Sequence, residues 1–99
     1  MAIVKVKFAP AWRLMLSENA FALAKADLAA GKYVDESGLF AVDGDSEDAA
    51  EDAFDLTNNP GRQFEREQEY GRGRSISSGD IVVVGEEQWL CMSVGWKLI

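Results

Sequence analysis

Histidine is absent from the 99 residues and cysteine occurs once, at Cys91, which narrows the chemistry open to this chain. Without an imidazole there is no Ser–His or Cys–His nucleophile pair and no closed Cys/His zinc site. Carboxylates, lysines, tyrosines and hydroxyls remain, along with metals held by oxygen ligands. The run Asp43-Gly44-Asp45-Ser46-Glu47 alternates carboxylates as a calcium loop does at its start. Its glycine is out of place for an EF-hand, however, and Phe54 stands where a bidentate glutamate belongs. Acids at a helix start and a solvated turn explain these residues, so no metal and no cofactor is expected. Nucleotide-binding glycine motifs are missing too, and the chain is not expected to be an enzyme of a familiar hydrolytic or redox class. A carboxylate-and-metal nuclease is the surviving exception.

The acids point to binding rather than to a reaction. Seventeen acidic and ten basic residues give a net charge of −7, and the stretch 35–55 holds nine acids and no base. At roughly 100° per residue, Glu47, Asp48, Glu51, Asp52 and Asp55 fall inside an arc of roughly 140° on one helix. Glu47/Glu51 and Asp48/Asp52 are like-charged i,i+4 pairs with no lysine or arginine between them, each costing a few tenths of a kcal/mol. These five residues are the candidate partner-binding face, and the partner is a protein with a basic surface. On that reading, reversing Glu51, Asp52 and Asp55 to lysine relieves repulsion and leaves stability equal or slightly higher. A solvated face explains the same residues.

The alternative site is basic. Arg62, Arg66, Arg72 and Arg74 lie in RQFEREQEYGRGR, whose glycine-bearing end has the composition of a phosphate-wrapping loop. Glu65, Glu67 and Glu69 make the local field nearly neutral, and the net charge disfavours direct nucleic-acid binding. Trp12, Trp89 and Trp96 form either a stacking surface or, as is commoner in a small domain, parts of core and rim.

The elements that must position these groups are legible from periodicity. Arg74 to Ile99 reads as a strand meander around which the rest is organised, with Ile81-Val82-Val83-Val84 as a central strand. Gly85-Glu86-Glu87 forms a hairpin loop, Gln88 to Ser93 a second strand, and Trp96 to Ile99 a third with Trp96 and Leu98 on one face. Cys91 belongs there as a small buried apolar side chain. At the other end, residues 1–8 alternate, with Val4, Val6 and Phe8 on the buried face. Residues 10–16 are open between a first helical turn and a short strand.

A helix runs from a Ser17 cap to a Gly31 stop, its stripe of Phe21, Ala24 and Leu28 facing the sheet. Residues 32–43 form one strand, near Leu39 to Val42, or two strands of a hairpin about the polar turn Asp35-Glu36-Ser37-Gly38. The second helix covers Glu47 to about Thr57, followed by an Asn58-Asn59-Pro60-Gly61 turn of type II. The expected fold is α+β: a mainly antiparallel sheet of about four to five strands with two helices packed on one face. One domain spans 1–99, with a mobile polar segment at about 62–74 to which Phe64 and Tyr70 are the available anchors. No apolar run approaches the ~20 residues that span a bilayer, and the N-terminus lacks a signal peptide's pattern, so a cytoplasmic protein is expected.

Two separated motifs carry a resemblance. Ala53-Phe54-Asp55-Leu56-Thr57-Asn58-Asn59, then Arg74-Ser75-Ile76-Ser77-Ser78-Gly79-Asp80-Ile81-Val82-Val83, with Val94-Gly95-Trp96 near the end, resemble short proteins of phages, plasmids and other mobile elements related to the YodL-like domain. The match covers about the last half of the chain, and that family has no activity to carry over. A histidine often follows Thr-Asn in it; Asn59 stands there here, so no histidine role applies. With the acidic face, the resemblance implies a small accessory protein that blocks a basic groove of host nucleic-acid machinery, as an anti-restriction or anti-CRISPR DNA mimic does. The alternative is a non-catalytic adaptor that contacts phosphates through Arg62 to Arg74.

Overall fold

The computed structural model describes residues 1–10, 20–71 and 73–99. The open choice at residues 10–16, the Ser17 cap, Trp12 and Arg72 therefore lie outside the described residues, Pro10 apart.

Strand β1 (Ala2–Phe8) sits inside the sheet. It pairs antiparallel with β4 (Ile81–Val84) on one side, and on the other with both β2 (Asp35–Glu36) and β3 (Phe40–Val42). Beyond β4 the meander continues through β5 (Glu87–Cys91) to β6 (Trp96–Leu98), again antiparallel. The β4–β5 loop is the two residues Gly85-Glu86, and Gly85 takes φ +60° in the first central position, where a type II′ turn needs a positive value. This is the expected α+β fold, built on a mainly antiparallel sheet.

Alternation within the strands splits the core into two layers. Val4, Val6, Val82, Val84 and Cys91 face helix α2 (Ser46–Asn58), meeting Ala49, Ala50, Ala53 and Leu56. Ile81, Val83 and Leu90 point the other way, toward α1 (Ala20–Ala29), meeting Phe21, Ala24 and Leu28 together with Tyr33. The stripe expected to face the sheet does so, but the two helices cover opposite faces rather than one. The reason is in β4: four successive apolar residues bury both faces of a strand, and each face then needs its own cover. Helix α1 ends in a complete Schellman motif, with Gly31 at φ +72° and the N–H groups of Gly31 and Lys32 donating to the carbonyls of Leu28 and Asp27.

Two further expectations are corrected. Residues 35–42 make no hairpin; both short strands add to the same edge of β1, and the register slips by one residue between them, as Lys7 opposes Glu36 while Val4 opposes Phe40. Ser37 fills that bulge, its N–H donating to the Val6 carbonyl and its Oγ accepting from the Val6 N–H, both at 2.8 Å. The turn after α2 is not type II, because Gly61 lacks the positive φ which that turn demands; Pro60–Arg62 is a 3₁₀ turn capped by Asn59 Oδ1 on the Gly61 N–H at 2.9 Å. Within the segment 62–74, Gln63–Glu69 form helix α3, packed on α2. Tyr70 anchors it edge-on to Phe40, with ring centroids 4.8 Å apart, whereas Phe64 is exposed.

Candidate functional site

The five acids share one side of α2, since the residues between them are the buried Ala49, Ala50 and Ala53 and the partly buried Phe54, all packed on the core. Their repulsion is nonetheless relieved. Arg62, carried round by the 3₁₀ turn, sends Nη1 to Asp52 Oδ1 at 2.7 Å and to Asp55 Oδ2 at 2.9 Å, and grips Glu65 with Nη2 at 2.6 Å and Nε at 3.0 Å. Asp52 also accepts from the Asp43 N–H at 2.8 Å, and Glu51 Oε2 accepts from Trp96 Nε1 at 2.7 Å. Only Glu47 and Asp48 of the five lack a partner among the described residues. The expectation that Glu51, Asp52 and Asp55 can be reversed at no cost in stability is thus overturned: those three brace Arg62 and Trp96.

The brace shifts protonation. Burial pushes Asp52 upward, but the hydrogen bonds from Arg62 and the Asp43 N–H outweigh it and hold the carboxyl below its ordinary 3.8. Arg62 likewise holds Glu65 below its ordinary 4.5. The guanidinium itself, bound first by Glu65 and then by Asp52 and Asp55, is raised further above its already high value. In the unfolded chain both acids regain their ordinary values, so below about pH 4.5 that state binds more protons. The stabilisation is therefore complete above that pH and is lost as pH falls through the lowered folded values. We expect the urea midpoint of the wild type to hold from pH 7 to 5 and drop below 4.5, and Arg62→Gln to flatten the drop; parallel curves for the two proteins would remove the brace from consideration.

The basic candidates are engaged inside the fold. Arg62 is described above. Arg66 Nη2 donates to the Gly73 carbonyl at 2.8 Å, beside a polar cleft of about 380 Å³ lined by Asn58, Gln63 and Glu67 among others. Arg74 lies over the Phe8 ring at 4.4 Å and forms a two-pronged pair with Asp80, Nη1 to Oδ2 at 2.8 Å and Nη2 to Oδ1 at 2.9 Å. No described member of this set projects a free guanidinium. Trp89 and Trp96 are half-buried against the core, with their N–H groups on Glu87 and Glu51, which is the core-and-rim role.

What sequence reasoning missed is that the two motifs are halves of one clasp. Thr57 Oγ1 accepts the buried N–H of Ile76 at 3.1 Å, Ser75 Oγ donates to the Thr57 carbonyl at 2.8 Å, and Asn58 Nδ2 donates to the Ile76 carbonyl at 2.9 Å. Asp80, 1% exposed, takes four hydrogen bonds, from Arg74 twice, the Ala9 N–H at 2.7 Å and the Ser77 N–H at 2.9 Å. Gly79, at φ +97°, lets its carbonyl receive the Tyr33 hydroxyl at 2.6 Å. These residues tie the end of α2 and the start of β4 together, so their pattern is explained by folding. Only an Arg and an Asp six apart, flanking serines, signalled it in the sequence.

Cys91 is buried as expected, and that burial pushes its thiol up to about 12, which leaves it neutral and unreactive at physiological pH. Among the described residues no group of three His, Cys, Asp or Glu side chains is placed to hold a metal ion, and no helix is long and apolar enough to cross a membrane. No protein-family model, curated protein or solved structure matches the chain.

Proposed function

We propose that this chain is a non-catalytic accessory protein that docks on a basic protein surface through the α2 carboxylate face, taking the place of a nucleic-acid backbone there. One observation carries the reading. The five acids from Glu47 to Asp55 span about 12 Å of helix, or one charge per about 3 Å. Along one strand of DNA the spacing is about 3.4 Å per charge. Arg62 bears on the same reading: with its side chain 18% exposed it orders Asp52, itself 21% exposed, and Asp55, which at 49% stands outermost of the three. Basic grooves of nucleic-acid machinery, including restriction and CRISPR complexes, are partners of the matching kind, and the mobile-element setting rests on the resemblance of the two motifs. The arginine alternative is the weaker one, since Arg62, Arg66 and Arg74 are already engaged.

The test reverses the two unpartnered acids. Glu47→Lys with Asp48→Lys gives up some favourable interaction with the helix N-terminus and gains by separating like charges, so stability should stay within about 1 kcal/mol. Capture of a nucleic-acid-binding protein from bacterial lysate should be lost in the same variant. Retained capture removes this face from the site. A gel shift of duplex DNA by the wild type, weakening steeply with salt, would favour the arginine alternative instead.

A further inference from the structure

Beside the acidic face lies a cleft of about 160 Å³, bounded by α2 on one side and the β5–β6 turn on the other. Phe54 and Trp96 form two walls nearly at right angles, with ring centroids 6.4 Å apart and planes at 85°. The sulfur side chains Met92 and Cys91 line the remainder, and Glu51 stands at the edge. Trp96 Nε1 holds Glu51 Oε2 at 2.7 Å, which orients the carboxylate and leaves Oε1 without a partner among the described residues. Next to the cleft, between its lining residues Ser93 and Gly95, Val94 is 91% exposed. An apolar tip beside an aromatic-walled cleft is the arrangement of an anchor pocket at the centre of an interface.

The chemistry of the cleft selects its occupant. Aromatic faces and thioether suit a hydrocarbon stem, and they attract a cation placed near the rings. One charged oxygen at the edge suits a cationic tip, and the field of the adjacent carboxylates excludes an anionic one. Because the other Glu51 oxygen is already taken, the site offers a single acceptor to the charge. An ammonium, which binds as a point charge, fits that better than the fork of a guanidinium. We propose that this cleft receives one lysine side chain of the basic partner, its stem lying along the corner that the Phe54 and Trp96 rings make and its ammonium on Glu51. The inference rests on the docking function proposed above and gives it a specific anchor.

Titration with hexalysine, followed by NMR, tests it. The Trp96 indole N–H and the Met92 methyl should shift saturably with hexalysine, and should not shift with the hexapeptide of Nε-acetyl-lysine. Glu51→Gln keeps an oxygen to accept from Trp96 and loses the charge, so the fold is preserved while affinity falls about tenfold. Shifts confined to the Glu47 and Asp48 amides would overturn the anchor and leave the docking face standing. No shift anywhere at low salt would overturn both. A stronger Trp96 response to hexaarginine would overturn lysine as the occupant.

Discussion

Asp80→Ala is expected to remove about 2–4 kcal/mol of folding stability, because it strips two backbone N–H groups and the half-exposed Arg74 of their common acceptor, and thus a large share of the about 5–15 kcal/mol available to a domain. The carboxylate is 1% exposed and satisfies the Ala9 and Ser77 N–H groups as well as Arg74. Alanine leaves all of these donors behind, two of them on backbone that cannot turn away. Asparagine should recover little. Each oxygen of Asp80 accepts two hydrogen bonds, so an amide NH₂ faces two donors whichever way it is turned. Urea unfolding of the three proteins measures this. A loss under about 1 kcal/mol for alanine would mean that Asp80 does not hold the loop before β4 to the end of β1.

Thr57→Val is the second large effect, about 1–3 kcal/mol, although valine has nearly the shape of threonine. Thr57 is fully buried, and its hydroxyl accepts from Ile76 while donating to the Phe54 carbonyl at 3.2 Å. Valine fills the space and strands the Ile76 N–H in the core. Thr57→Ser retains the hydroxyl and should lose much less, so equal losses for the two variants would assign the effect to the missing methyl and not to the hydrogen bond.

The long strands and the ends of the helices were legible because their patterns are local. Ile81 to Val84 is too β-branched to be anything but a strand, and Gly31 marks its helix end by its own conformational freedom. Long-range placement was not legible. Nothing near Arg62 in the sequence says that a 3₁₀ turn will fold it back onto Asp52 and Asp55, so the acids read as unrelieved when they are braced. Likewise Asp35 and Glu36 read as a turn because they are polar, but an edge strand with both residues exposed tolerates polar side chains, and pairing with Lys7 and Phe8 settles their state. The candidate face itself was visible as a pattern of charge; the cleft beside it joins residues 51 and 54 to residues 91–96, which only the fold brings together.

The pairing of β1 with β4 has a consequence for how the molecule is made. Lys7 lies opposite Ile81, so the two middle strands close a loop of about 75 residues, at an entropic cost of about 4 kcal/mol that must be met before the contacts it permits are gained. Folding that needs such non-local pairings is slower than that of a helical bundle, whose contacts are local. On the ribosome β1 emerges several seconds before β4, at synthesis rates of about 5–20 residues per second. Throughout that interval β1, even once β2 and β3 have joined one edge, lacks β4 on the other, and Val4 and Val6 lack their partners Val84 and Val82. Until β4 is made, the β1 edge is therefore where the nascent chain is open to aggregation, and residues 2–8 are the stretch that a chaperone specific for extended segments would hold.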